Sequence, residues 1–464
     1  MARGLSSTTW PKALIRPVRI ASDCTGLATA ELSLMQILEP TGGKLRVVFG
    51  CDILPASRQV MAAVSAPELI LEDMLKREFA SAHIESTALG IPGTVRVNRE
   101  SADLDFYVAG VMCTPWSPKG AQRGFADANA ETMTNFLKTI MVLRPRCAVM
   151  ENVARLVSAK HRIDLQQRLS LIRGYTFVFR LYRTAEWGVP QVRERLYVIM
   201  LRTDALTAKA RNVGVEDLFD RVVTACQSQD RPAFLEYLLQ RGYPVMSARG
   251  SPNEAEAECC CSHLRACDSH PCLCQPCRRR GVLTRQCKWR KHTADFLLSH
   301  KKHRRSYLTG WRKVRQDPKL KQAPGYFELA RASGLSVSAT LSSPRERVLL
   351  QALATTRNLL SDKVVVDVSQ SIHRKVIRSD GNVPTITTGS AKMLAAGKGQ
   401  FLDANQCLAL QGFDPSIFAK SGVRSEELHY MAGNAMSLPV IGSVLLAAGH
   451  VLNWGSSRAA AGGA

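Results

Sequence analysis

The sequence predicts an α/β fold in which a mainly parallel sheet, covered by helices on both faces, is interrupted by an irregular insert. Three observations lead there. From Val18 to about Arg202, short β-branched runs alternate with helical stretches; from about Thr203 to Lys363 that regularity fades as polar, Gly, Pro, Cys and basic residues increase; from Val364 to about Asn453 compact patterning resumes. Strands separated by helices imply right-handed crossovers and hence parallel pairing. The expected division is an N-terminal extension (1–17), a first part of the main domain (18–203), an insert (204–363), a closing part (364–454) and a tail (455–464) whose "GSSRAAAGGA" cannot build a core.

The elements follow in chain order. "LRVVFGCDI", "LDFYVAGV", "CAVMENV" and "RLYVIML" read as strands, being short, apolar and rich in β-branched residues. "SRQVMAAV" and "AETMTNFLKTIMVL" repeat apolar residues at helical spacing. In the closing part "VVVDV" is strand-like, "ANQCLALQGF" helical and "SLPVIGSVLLAAGHVL" an apolar helix.

Composition narrows the partners. Among 464 residues, 62 Lys and Arg against 39 Asp and Glu give a net charge of +23, which attracts polyanions over long range. Nucleic acid is the first partner to expect. No run of about 18 apolar residues occurs, so no membrane partner is expected. Oligomeric state is not encoded in any pattern of the chain. Of 14 cysteines, six are scattered and eight lie between Cys259 and Cys287.

Cys113 ends an apolar run, and in an open α/β sheet ligands bind beyond the carboxyl ends of the strands. A lone thiol there would be an ordinary small hydrophobe. Three further stretches stand in order with it. "CAVMENV" closes on Glu151-Asn152-Val153, "GVPQVRERLYV" spaces Gln191, Arg193 and Arg195 on alternate residues, and "HYMAGNAMSLPV" sets Gly433-Asn434 before the last helix. With the loop Cys113-Thr114-Pro115-Trp116-Ser117, this order resembles the cytosine-5 DNA methyltransferase family over about Val18 to Arg202 and Val364 to Ala448.

The resemblance implies a Rossmann-like methyltransferase that uses S-adenosylmethionine and works through a covalent cysteine adduct. Cys113 would attack carbon 6 of cytosine, making the ring an enamine able to accept a methyl group. Glu151 would hold or donate a proton at nitrogen 3. Arg193 and Arg195 would hold the base carbonyl, the Cys loop or a phosphate, and Gln191 would join them at the substrate. "SPKGAQRGFAD" resembles the family's mobile closing loop, with Lys119 and Arg123 placed to contact phosphates.

The donor would sit at the first strand-to-helix turn, "ASDCTGLATAELSL". Gly26 matches the family's first glycine, with Leu27 beside it a further cofactor-binding candidate, while the family's acid falls at Ser22 with Asp23 one place along, its aromatic at Cys24, and its later glycines at Ala28 and Thr29. Asp52, followed by Ile53, is placed like the family's ribose-binding acid. Asp105 and Asn434 are expected near the same cofactor, although Asp105 equally suits a strand-start cap. The family's proline before the nucleophile is Met112 here, and "LDANQ" replaces a helix motif near the end.

The insert is expected to choose the substrate. Arg278 to Arg315 holds 14 Lys or Arg with one acid, Asp295, interleaved with Trp289, Phe296, Tyr307 and Trp311; Arg304 and Arg305 are its candidate phosphate ligands. DNA is the expected substrate, with a transfer RNA substrate or a silent nucleic-acid-binding protein as alternatives. The same basic run has the composition of a nuclear import signal. The nucleus is the expected compartment in a eukaryotic cell, with an organelle as the alternative because the first 20 residues carry four basic groups and no acid. Upstream, Cys267, Cys272, Cys274 and Cys277 have short spacings that suit structural zinc.

Overall fold

The computed structural model describes residues 16–117, 122–247, 326–335, 346, 349–350, 353–354, 357–370, 377–388 and 392–453. The chain divides into two compact units: Met1–Tyr243 with Thr385–Ser390 and Asp403–Ala464, and Pro244–Pro384 with Ala391–Leu402.

The first unit is built on a ten-stranded sheet. Its centre runs β3 (Leu69–Leu71), β2 (Leu45–Cys51), β1 (Val18–Asp23), β7 (Phe106–Ala109), β8 (Cys147–Val153), β11 (Glu194–Arg202), β9 (Tyr175–Arg183). Pairing from β3 through β8 is parallel, and β11 enters antiparallel between β8 and β9. Three short strands, β4 (Glu78–Phe79), β5 (His83–Ala88) and β6 (Ile91–Asn98), extend the β3 edge antiparallel. This is a Rossmann-like α/β architecture. The chain reverses its direction of travel between β1 and β7, where an open sheet leaves a crevice at the strands' carboxyl ends.

Both faces of the sheet are buried, and alternation assigns each residue its face. Val18, Ile20, Phe106, Val108, Cys147, Val149, Tyr197 and Ile199 enter one core, packed with the helix α1 (Thr29–Leu38) and the helix Leu438–Val451. Ala21, Tyr107, Ala109, Ala148, Met150 and Val198 enter the other, with helix Glu131–Leu143. A continuous apolar sequence was needed for each strand because no face is left to water.

The start of the expected insert does not behave as one. Helices Ala208–Val213, Val215–Cys226 and Phe234–Gln240 belong to the first unit. Leu218, Phe219, Val222 and Val223 line one side of the middle helix and join the same core as Leu438–Val451. Their polar neighbours mask that stripe in a composition scan. The division therefore falls near Tyr243 and not at residue 204.

The second unit holds a four-stranded antiparallel sheet, Ile377–Arg378, Val365–Asp367, Met393–Ala395 and Gln400–Phe401, over a core that includes Tyr326, Leu350, Leu359, Val366 and Leu394. The Cys-rich and basic stretches, with Cys267, Cys272, Cys274, Cys277, Arg304 and Arg305, lie outside the described residues, as does Lys119. No helix among the described residues is by itself long and apolar enough to cross a membrane.

Candidate active site

Parallel pairing sets Asp23 beside Ala109 and Ala109 beside Met150, so the ends of β1, β7 and β8 form one edge. Everything the sequence places immediately after these strands is brought together there.

Cys113 lies four residues beyond β7 and is half-buried. Its carbonyl accepts from the N–H of Trp116 at 3.0 Å and of Ser117 at 2.8 Å, closing a tight turn. Trp116 is fully buried, edge-on to Phe125 with ring centres 5.3 Å apart, and the Gly124 N–H donates to the Pro115 carbonyl at 3.1 Å. Both described ends of the expected mobile loop are thus pinned. Arg123 is exposed just before Gly124.

Glu151 sits near the end of β8, buried, with Oε1 3.2 Å from Nε of Arg195 but outside hydrogen-bond geometry. The antiparallel register explains the pairing: Arg195 lies opposite Val153 and Tyr197 opposite Glu151. Burial pushes the Glu151 carboxyl up, and the charges of Arg195 and Arg193 only partly oppose this. Burial and the Glu151 charge push the Cys113 thiol up, while the same two arginines pull it down. Thiol, carboxyl and guanidinium therefore form one electrostatic cluster.

Gln191 and Arg193 face elsewhere. The strand pairing breaks at Arg193, between β10 (Gln191–Val192) and β11. Gln191 is fully buried, and its amide donates to the Leu410 carbonyl at 2.6 Å while its oxygen accepts from the Ile386 N–H at 3.3 Å. The Arg193 guanidinium donates to the carbonyls of Ile386 (3.1 Å), Gly433 (3.3 Å) and Ala435 (2.6 Å). Burial and the neighbouring Arg195 charge push Arg193 down to about 9, so it stays charged at neutral pH. Both side chains are thus spent on the closing segments, in place of the substrate contact expected of Gln191 and the base, Cys-loop or phosphate contact expected of Arg193. Gly433 belongs to the same staple: a Cβ there would meet the backbone of Thr387 at 2.4 Å, so no other residue fits. Asn434 beside it is exposed.

Asn152, which the sequence places beside Glu151 without a role, fixes this corner. Its amide donates to the Val111 carbonyl at 3.1 Å, and its oxygen accepts from the Val153 N–H at 2.8 Å, tying the end of β8 to the chain leading to Cys113. Position between an acid and a strand end was the available signal.

On the donor side, the turn after β1 keeps its shape through left-handed conformations at Cys24 (φ 49°), Gly26 (φ 55°) and Ala28 (φ 54°). The Asp52 carboxylate accepts from the Gly26 N–H and the Leu54 N–H, each at 2.9 Å. Burial pushes Asp52 up against these bonds. A carboxylate has about four acceptor positions; these two bonds and the Ser57 hydroxyl occupy three, which leaves one for a ligand hydroxyl. Ile53 stands beside it, two-thirds exposed, and Leu27 is buried beneath the turn. Ser22 is buried and hydrogen-bonded within the turn.

Two expected ligands are placed otherwise. Asp23 forms a buried two-point ion pair with Arg77, both contacts at 2.7 Å, and accepts from the Tyr107 hydroxyl. Its oxygens are committed to the core. Asp105 precedes β7 and accepts from Arg16 at 2.9 and 2.7 Å and from the Arg19 N–H at 2.9 Å. Four residues of strand rising about 3.3 Å each put it some 13 Å from the carboxyl edge, so it caps the opposite end of the sheet.

Donor and acceptor sides meet at Gly110, directly after β7. A Cβ placed there would lie 3.8 Å from the Cys24 carbonyl and 4.0 Å from Oε2 of Glu151. The edge thus brings a half-buried thiol, a buried carboxyl and an adjoining turn together. Among the described residues no group of three or more His, Cys, Asp or Glu is arranged to hold a metal.

Residues 93–230 match the family model described as C-5 cytosine-specific DNA methylase. The chain is similar to the Type II methyltransferase M.HgiCII of Herpetosiphon aurantiacus, 29% identical over 97 residues, covering 20% of this chain and 22% of that one. It is similar to M.NgoBI of Neisseria gonorrhoeae, 34% identical over 101 residues (21% and 31%), and to M.BanI of Aneurinibacillus aneurinilyticus, 29% identical over 157 residues (32% and 37%). The chain thus spans between about a fifth and two-fifths of the length of these relatives.

Proposed function

We propose that this chain, a member of the C-5 cytosine-specific DNA methylase family through residues 93–230, transfers a methyl group from S-adenosylmethionine to carbon 5 of cytosine in DNA. One observation carries the reading: a half-buried thiol at the carboxyl edge of the sheet shares its electrostatic environment with a buried carboxyl and two arginines.

The chemistry needs a thiolate and a proton donor together. Cys113 adds through sulfur to carbon 6 while Glu151, its carboxyl pushed up by burial, gives a proton to nitrogen 3 as negative charge develops there. Arg195, whose charge pulls the Cys113 thiol down, stabilises the thiolate. Asn152 and the turn Cys113–Ser117 fix the thiol's position. The donor supplies an activated methyl group. The residues present fit it: Asp52 keeps an acceptor position for a ribose hydroxyl, Ile53 offers an exposed apolar face to a purine, and Gly110 leaves room where the turn approaches Glu151.

A duplex hides carbon 6, so the base must leave the stack at a cost of a few kcal/mol met by contacts elsewhere. The basic stretch Arg278 to Arg315 supplies the charge for those contacts. Replacing Arg304, Arg305, Arg312 and Lys313 by alanine should weaken binding to all sequences alike and flatten the slope of log affinity on log salt by roughly 0.9 per lost phosphate contact. An unchanged slope removes this stretch from the interface.

The mechanism is tested with DNA carrying 5-fluorocytosine and labelled donor. The native protein should form a covalent complex through Cys113, because fluorine blocks loss of the carbon 5 substituent, and Cys113→Ser should bind DNA without trapping it. A trap of equal yield in the serine variant rejects Cys113 as nucleophile; labelling of RNA alone rejects DNA as substrate.

A further inference from the structure

Glu31 is an acid where the fold should hold an apolar residue. It lies in the first turn of α1, 1% exposed, and no basic group pairs with it among the described residues. Oε1 is hydrogen-bonded to the Ser22 hydroxyl, and Oε2 has no hydrogen-bond partner among the described residues. Ser22 Oγ is in turn 2.7 Å from Thr25 Oγ1. Thr25 Oγ1 accepts from the Cys51 N–H at 3.1 Å and lies 3.2 Å from the Cys51 carbonyl. An unbroken chain of three side chains therefore joins a buried carboxyl to the residue preceding Asp52.

Proton counting gives this chain two states. With Glu31 neutral, its O–H donates to Ser22, Ser22 donates to Thr25, and the Thr25 hydroxyl is left to donate to the Cys51 carbonyl, a donation it shares with the Ser22 carbonyl at the same 3.2 Å, fastening the turn to β2. With Glu31 ionised by loss of one proton to solvent, Ser22 must donate to the carboxylate and Thr25 to Ser22, so the Cys51 carbonyl loses that donor. The Thr25 N–H to Cys51 carbonyl bond of 3.1 Å remains in both.

We propose that Glu31 is a positioning residue for the methyl-donor site, acting through Ser22 and Thr25 on the segment Cys51–Asp52 that anchors Gly26. It places a carboxyl group, from inside α1, against Ser22 near the end of β1. The inference rests on S-adenosylmethionine being the donor. Burial pushes the Glu31 carboxyl up, which favours the fastened state. Other titratable groups on the elements packed against α1 are Glu39, Arg46, Cys51 and His450, with Asp23 and Cys24 on the adjoining turn. Asp23 is neutralised by Arg77, and among the described residues none of the others is in ion-pair contact with Glu31.

The test measures S-adenosylmethionine affinity by calorimetry, and unfolding temperature without it, from mildly acidic to mildly alkaline pH. Native affinity should fall roughly two- to tenfold as pH rises through the Glu31 titration, the worth of one neutral hydrogen bond. Glu31→Gln, whose amide can donate to Ser22 at every pH, should hold the low-pH affinity throughout. Ser22→Ala breaks the chain: its affinity should lose the pH dependence while the unfolding temperature still falls as Glu31 ionises. An identical affinity profile in native protein and Glu31→Gln overturns the inference and leaves the proposed reaction standing. Absence of donor binding by the native protein at every pH overturns both.

Discussion

The acceptor side and the donor side of the crevice are built by different means. Cys113, Glu151 and Arg195 owe their meeting to strand register: β7 and β8 run parallel, β11 antiparallel, and the functional groups follow from where each strand starts or stops. The donor turn owes its shape to anchors, with Asp52 holding Gly26 and Thr25 holding Cys51 on both N–H and carbonyl sides. Register tolerates few substitutions at the reacting groups themselves. Anchoring tolerates many, which is why Cys24, Ala28 and Thr29 can replace the family's residues while the backbone still turns.

The comparison breaks most visibly if Glu151 is changed. Glu151→Gln keeps the volume and should cost about 10²- to 10⁴-fold in turnover at neutral pH, the usual worth of a positioned acid. The pH profile carries more information than the loss. In the native enzyme the active form, thiolate with neutral acid, has the same proton count as thiol with carboxylate, so rate should be level between the two titrations and fall outside them. Both groups are pushed up, which moves that plateau to the alkaline side. In Glu151→Gln the fall at alkaline pH disappears, and the rate should climb with pH until the thiol ionises and then stay level. It should level off earlier than the native alkaline limb, because the charge that raised the thiol is gone. A variant that keeps the native profile would show that Glu151 holds no catalytic proton.

The sequence made the acceptor side legible because each group there sits next to a strand, and strands with both faces buried announce themselves as apolar runs. "CAVMENV" and "RLYVIML" give Cys147–Val153 and Glu194–Arg202 within a residue or two. The edge strands Glu78–Phe79, His83–Ala88 and Ile91–Asn98 escaped notice because one side meets water and their patterns carry charge. Gln191 and Arg193 were misjudged for a related reason. Alternate spacing predicts one shared face, but the break at Arg193 turns both inward onto backbone carbonyls that no local pattern reveals. For Asp105 the sequence leaves a cofactor neighbour and a strand-start cap equally open, and its bonds to Arg16 and the Arg19 N–H make it the cap.

A smaller effect tests the anchors. Asp52→Ala removes the acceptor of two N–H groups and should weaken S-adenosylmethionine binding by about 1 to 3 kcal/mol, the cost of unmatched buried polar groups. Asp52→Asn, which can still accept through one oxygen, should fall between. Calorimetry decides it: unchanged affinity in the alanine variant would separate Asp52 from the donor altogether.

The smallest expected effect concerns Ala28, which holds a left-handed conformation where the family has glycine. Ala28→Gly would relieve about 1 to 2 kcal/mol of backbone strain. Against that, Ala28 is fully buried, and losing its methyl group costs about 0.8 kcal/mol. Glycine also adds freedom to the unfolded chain, worth roughly 0.5 to 1 kcal/mol. The three effects nearly cancel, so denaturant unfolding of Ala28→Gly should match the native protein within about 0.5 kcal/mol. This near-neutrality explains how the turn departs from the family pattern without losing its shape: the alanine replaces conformational freedom with packing. A gain well above 1 kcal/mol would mean that the turn stores strain instead, and a comparable loss that the methyl group is a packing element the backbone depends on.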